Sequence, residues 1–71
     1  MPKLPSVSGK KTIRSLNKMG FIIVRQRGSH VFMQREEASV TVPLHNPIRK
    51  STLKSVLNQA GISLEEFLEH L

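Results

Sequence analysis

Three short segments with the composition of β-strands follow one another between residues 21 and 42, separated by turns of two or three residues. Residues 21–27 and 30–35 are rich in β-branched and aromatic side chains, and residues 39–42 alternate polar with apolar side chains. This composition and period-two alternation are typical of strands. Because turns this short join only antiparallel neighbours, the sequence predicts a three-stranded antiparallel meander.

A helical pattern precedes the strands. Ser8 is a favourable N-cap, and Gly20 suits the left-handed conformation in which helices often end. Between them, the apolar residues predicted to face inward are Ile13, Leu16 and Met19. Residues 1–7 contain two prolines and predict a short extended arm.

Two further helical patterns follow the strands. Residues 51–60 present one apolar face and stop at Gly61, and a capping box at residues 63–66 begins a third helix. The inward residues predicted for the third helix are Leu64, Phe67, Leu68 and Leu71. A sheet with helices on one face buries these surfaces, so we expect one α+β domain over residues 1–71 in the order α-β-β-β-α-α.

The charge distribution is asymmetric. The 71 residues carry a formal net charge of +6, and all eleven lysines and arginines precede Ser55, where only two glutamates oppose them. Lys10, Arg14 and Lys18 recur every four residues and therefore form one cationic stripe on the first helix. This distribution favours a polyanionic partner such as RNA, and a basic surface that serves only solubility is the alternative.

Several classes of protein are not expected. The chain has no cysteine, which excludes disulfides and thiol chemistry and suits a reducing cytosol. Its longest apolar run spans residues 21–24, far short of the ~20 residues of a membrane helix. We therefore expect a soluble cytoplasmic protein with no membrane contact. The histidines are too scattered to predict a metal site, and no cofactor is expected.

The turn positions decide which polar residues meet on the open face of the sheet. A first hairpin that turns at residues 28–29 places Arg27 opposite His30. If the second hairpin turns at residues 37–38, His45 joins them in one row. The apolar face then aligns Val24, Met33 and Val42, with Ile22, Val31, Val40 and Leu44 nearby.

Ile23 and Phe32 fall on the same face as the histidines in this register, together with Arg25. Phe32 could stack against an RNA base, since aromatic side chains do so in RNA recognition. Cover by the N-terminal arm is the alternative.

A row of two histidines and an arginine suits RNA cleavage. Histidine ordinarily titrates at ~6.5 and can take or give a proton near neutral pH. RNA supplies its own nucleophile, the 2′-hydroxyl, and a cation can stabilise the charge that develops on the phosphorus. His30, His45 and Arg27 fit these roles; a surface position for His30 and a loop-ordering role for His45 are the alternatives. Further RNA-contacting candidates are Lys10, Arg14, Lys18, Arg25 and Ser29.

Four short motifs, in order along the chain, resemble the HicA (YcfA-like) family of messenger-RNA interferase toxins. They are Gly20-Phe21, Gly28-Ser29-His30, Val42-Pro43-Leu44-His45 and Ala60-Gly61-Ile62. The resemblance implies a fold like that of the double-stranded-RNA-binding domain, metal-independent cleavage of messenger RNA, arrest of translation and a HicB-like antitoxin as partner. It also implies that His30 is the catalytic histidine, whereas the role of His45 comes only from the register.

Two rival functions remain open at this point. One is a non-catalytic RNA-binding module, which the same fold and basic surface would support. The other is an interaction protein for an acidic partner, for which nucleic acid is irrelevant.

Overall fold

The computed structural model describes residues 3–71, and within them three helices and three strands follow the predicted order. The strands form one antiparallel sheet in the order β1-β2-β3, which confirms the predicted α+β fold. The elements are α1 (Gly9–Lys18), β1 (Ile22–Arg27), β2 (His30–Arg35), β3 (Ala38–Pro43), α2 (Lys50–Ala60) and α3 (Leu64–Glu69).

The predicted ends of α1 are confirmed. The hydroxyl oxygen of Ser8 accepts a hydrogen bond from the backbone N–H of Lys11 at 3.2 Å, as an N-cap does. The helix ends at Lys18, and Gly20 has a φ of +100°, a conformation that side chains rarely adopt.

The inner face of α1 is partly polar, which the apolar pattern did not predict. Leu16 is fully buried as expected, but so are Thr12 and Ser15. Each hydroxyl has a partner: Thr12 donates to the carbonyl of Ser8 at 3.0 Å, and Ser15 donates to the carbonyl of Phe67 at 3.1 Å. These bonds offset the cost of removing two hydroxyls from water.

The signals that bound α2 and α3 are also confirmed. Gly61 ends α2 in the left-handed conformation with a φ of +69°. Ser63 and Glu66 form the predicted capping box at the start of α3. One prediction for this region is wrong, because Leu71 lies beyond the end of α3 and is 46% exposed.

The first hairpin has the predicted register only near its turn. Arg27 pairs with His30, and Gly28 has the positive φ, +59°, that the turn requires. A β-bulge at Val24 then shifts the pairing by one residue, so that Ile23 lies opposite Met33. Ile23 therefore belongs to the helix-facing side of the sheet and not to the open face, because a bulge reverses the alternation beyond it.

The register predicted for the second hairpin is wrong by two residues. The turn is formed by Glu36 and Glu37, and Glu36 adopts a φ of +54° without being glycine. His30 consequently pairs with Pro43. A shift of two preserves the faces of both strands, because side chains alternate with a period of two.

The core lies between the sheet and the helices. Val31 and Met33 of β2 and Val40 and Val42 of β3 are buried there, on the predicted face. Their partners in the core include Leu16, Phe21, Leu53, Val56, Leu57 and Phe67. Ile22 and Val24 were also expected in this core, but both are exposed.

Residues 3–8 have no regular secondary structure, and residues 1 and 2 of the predicted arm lie outside the described part of the chain. Val7 is buried, and its carbonyl accepts a hydrogen bond from the N–H of Ile48 at 2.8 Å. Leu4 lies beside Leu57 and Ile62 on the helical side. This segment therefore does not cover Phe32. Within residues 3–71, no helix is long and apolar enough to cross a membrane.

Candidate functional site

The sheet has an open face, opposite the helices, and the candidate site lies on it. Val31 and Met33 point into the core, so the alternating residues His30 and Phe32 of β2 project from the other side. His30 is exposed, and it is the first residue of β2 after the tight turn. The turn therefore fixes the backbone position of this histidine.

Two rows of side chains cross the open face. In the first row, Arg27 of β1 and Pro43 of β3 lie on either side of His30. Directly opposite residues in an antiparallel pair have Cβ atoms roughly 4.5–5.5 Å apart. The guanidinium of Arg27 can thus reach an anion that His30 contacts.

The second row stands one step along the strands. It contains Phe32, with Arg25 of β1 and Thr41 of β3 as its neighbours. The guanidinium carbon of Arg25 lies 4.6 Å from the centre of the Phe32 ring, and Phe32 is half-buried. A cation over an aromatic face is stabilised there, so the contact favours a position of Arg25 beside the first row.

His45 does not enter the row of His30, because Pro43 occupies the position that the predicted register gave to it. The N–H of Leu44 donates to the carbonyl of Ser29 at 2.7 Å, which places His45 just beyond the strand pair. The carbonyl of His45 in turn accepts from the N–H of Gly9 at 2.8 Å. His30 and His45 therefore lie at the same end of the molecule but not in one row.

A shallow pocket joins His45 to the beginning of α1. Besides His45 and Gly9, the residues that line it are Ser8, Lys10, Leu44 and Asn46. A side chain at position 9 would have no room, because a Cβ there would overlap the carbonyl oxygen of Pro43 and approach the Cα of Leu44 to 2.8 Å. The backbone of α1 and the backbone after β3 are thus in direct contact.

The cationic stripe of α1 begins beside this pocket and extends away from it along the helix. Lys10, Arg14 and Lys18 are all exposed on α1. Each four-residue step along a helix advances roughly 6 Å, so Arg14 and Lys18 lie progressively farther from His45. Only Lys10 shares the pocket with His45, and the rest of the stripe belongs to the helical layer, not to the open face.

The sequence interpretation missed two features of the site. One is the stacking of Arg25 on Phe32, although the predicted pairing of the first hairpin already places these two residues opposite each other. The other is the meeting of Lys10 with His45, which depends on the close approach at Gly9 and has no signal in the local pattern. Among residues 3–71, no group of three or more histidines or carboxylates could hold a metal ion.

Comparison with known families decides the classification. The family described as "HicA toxin of bacterial toxin-antitoxin" matches residues 9–62, which is most of the chain. The chain belongs to the HicA toxin family. The HicA match begins with α1 and ends at Ile62, so it includes His30 and His45 and stops before α3. No curated protein sequence matches this HicA chain.

Proposed function

We propose that this HicA toxin is an endoribonuclease that cleaves messenger RNA without a metal or cofactor and so arrests translation. The observation that carries the proposal is the pairing of His30 with Arg27 on the open face of the sheet, in a chain of this family. The proposed setting is the cytoplasm, and the proposed regulator is a HicB-like antitoxin.

The proposed reaction uses the nucleophile that RNA provides. The 2′-oxygen forms a bond to the adjacent phosphorus, and the bond between phosphorus and the 5′-oxygen of the next nucleotide breaks. One group accepts the proton of the 2′-hydroxyl and another donates a proton to the leaving oxygen. His30 is proposed as the principal general acid or base, and Arg27 as the cation that stabilises the charge on the phosphorus.

The second proton carrier is proposed to be His45. It is exposed at the same end of the molecule, beside Lys10, which would attract the phosphate that follows or precedes the scissile one. Arg14 and Lys18 would bind more distant phosphates along α1. Arg25 and Ser29 would contact the RNA next to His30, because they flank it on the sheet and in the turn.

The direct test compares histidine variants on an RNA substrate in EDTA. We expect His30→Ala to lose cleavage by a factor of about 100 to 10,000, the usual contribution of a proton-transfer group, while RNA binding persists. His70→Ala is the matched control, since His70 lies at the end of α3, hydrogen-bonded to Glu66, and outside the proposed site. Cleavage by His30→Ala at the wild-type rate would refute the proposal.

His45 is tested separately, because the register that first suggested its role is not the observed one. If His45 carries the second proton, His45→Ala slows cleavage and leaves RNA affinity nearly unchanged. Wild-type cleavage by His45→Ala would remove it from the mechanism without touching the role of His30.

A second candidate function is RNA binding without cleavage. The stacking of Arg25 on Phe32 favours it, since stacked guanidinium and aromatic groups bind unpaired bases without any chemistry. A substrate with a 2′-deoxy nucleotide at the scissile position distinguishes the nuclease from the non-catalytic binding module. The nuclease binds it and cannot cut it, whereas a binding module treats it and the all-RNA strand alike, cutting neither.

A further inference from the structure

The outer edge of β1 is an exposed strand edge with apolar side chains. β1 pairs with β2 and with no other strand in the described residues, so the backbone groups along its outer side have no strand partner. All six of its residues are exposed. Ile22, Ile23 and Val24 are 60, 53 and 51% exposed, which groups three consecutive aliphatic residues on one edge.

The apolar side chains of this edge project from both sides of the sheet. Ile22 pairs with Gln34 and so faces the open side, whereas Ile23 pairs with Met33 and faces the helical side. A helix or sheet that stacked on one side would cover only one of them. A strand added at the edge contacts both, because its own side chains alternate in the same way.

The positive charge of this edge favours an acidic partner over a second copy of the same chain. β1 ends in Arg25 and Arg27 and contains no carboxylate. Two copies of β1 brought edge to edge would place four guanidinium groups together with nothing to neutralise them, in a chain whose net charge is already +6. An acidic partner meets no such repulsion.

We infer that the outer edge of β1 is the docking site for an extended acidic segment of the antitoxin, which adds a fourth strand to the sheet. The partner strand places aliphatic side chains against Ile22, Ile23 and Val24, and carboxylates against Arg25 and Arg27. The inference rests on the antitoxin partnership stated under the proposed function and names the surface that it uses.

Strand addition at this edge would also inhibit the toxin. Neighbouring strands lie about 4.8 Å apart, so the added strand runs roughly 10 Å from β2, on which His30 stands. Carboxylates paired with Arg25 and Arg27 neutralise the two cations beside His30 that RNA phosphates need. The antitoxin would thus compete with RNA for the same guanidinium groups without covering His30 itself.

The experiment measures the affinity of the antitoxin, produced from the gene adjacent to that of the toxin, for two variants. Ile22→Thr/Ile23→Thr keeps β-branched side chains, which favour strands, and removes apolar surface from the edge. We expect its affinity to fall by about ten-fold or more. Leu71→Thr is the matched control, because Leu71 is exposed to a similar extent outside the sheet, and its affinity should not change.

Hydrogen exchange of the wild-type complex gives a second readout that does not depend on a substitution. Amides of residues 22–27 that exchange rapidly in the free toxin should become protected when the antitoxin binds. Unchanged affinity of Ile22→Thr/Ile23→Thr, or no new protection of these amides, would overturn the inference.

Other outcomes distinguish the remaining occupants. A wild-type dimer that Ile22→Thr/Ile23→Thr converts to a monomer would overturn the inference in favour of self-pairing. If Ile22→Thr/Ile23→Thr binds RNA more weakly but binds the antitoxin as well as the wild type does, the edge would be assigned to RNA. If the antitoxin does not bind even the wild-type toxin, the partnership itself fails, which is a separate result from the loss of this docking site.

Discussion

The two outer strands of the sheet have opposite surroundings although both are six residues long. In β3, Val40 and Val42 are 2 and 0% exposed, and both α1 and α2 pack against this strand. In β1, no residue is buried, because the helices pack over β3 and leave β1 uncovered. β3 therefore anchors the fold, while the exposed side chains of β1 remain available for the proposed contacts with RNA and the antitoxin.

The largest expected difference between the strands concerns activity. Arg27→Ala in β1 should lower the cleavage rate by about 100-fold, the usual loss when a charge-stabilising donor is removed. The free energy of unfolding should hardly change, since Arg27 is exposed. Single-turnover cleavage and chemical denaturation measure the two quantities.

Lys54→Ala is the control for this variant, because Lys54 is an exposed cation on α2, away from the open face. An equal loss of cleavage in Lys54→Ala would mean that net charge, and not the position of Arg27, determines the rate. The proposed role of Arg27 in catalysis would then be wrong.

The next difference concerns stability. Val42→Ala in β3 removes buried methyl groups and should lower the free energy of unfolding by about 2 kcal/mol. Val24→Ala in β1 should lower it by at most about 0.5 kcal/mol, because Val24 is already half in water. Urea denaturation of both variants tests the contrast, and similar losses would show that β1 is held by more than its pairing with β2.

A third expected effect concerns stability alone and lies in the helical layer. Ser15→Ala removes the buried hydrogen bond to the carbonyl of Phe67, which joins α1 to α3, and should cost about 1–2 kcal/mol of stability. Ser55→Ala, at an exposed position on α2, should cost nothing. Cleavage at a temperature where both variants are folded should be unchanged. A slower reaction in Ser15→Ala would show that α3 influences the open face.

The local signals in the sequence predicted the elements well. Ser8, Gly61 and the capping box at Ser63 act within a few residues of themselves, so their effects do not depend on the rest of the fold. The pairing of Arg27 with His30 was predictable for the same reason, because a two-residue turn between them fixes it. The faces of β2 and β3 followed from alternation alone.

The features that were missed depend on longer-range geometry. The bulge at Val24 and the positive φ of Glu36 have no distinctive residue type, so neither the register of β1 beyond the bulge nor the place of His45 could be derived. The exposure of Ile22 follows from this bulge, which turns the residue to the open face, whereas the exposure of Ile23 on the helical side depends on where the helices pack across the sheet. A three-residue aliphatic run indicates a strand, but it does not indicate whether that strand is covered.

The loop that follows β3 and carries His45 is held against α1 at Gly9, and this arrangement is unusually sensitive to mutation. Packing in a core of valines and leucines can change gradually, since one aliphatic residue can often replace another with small adjustments. At position 9, every other amino acid brings a Cβ into the carbonyl oxygen of Pro43. A single base change in this glycine codon is therefore enough to push the loop away from α1, and no substitution elsewhere restores the space except one that moves the backbone itself.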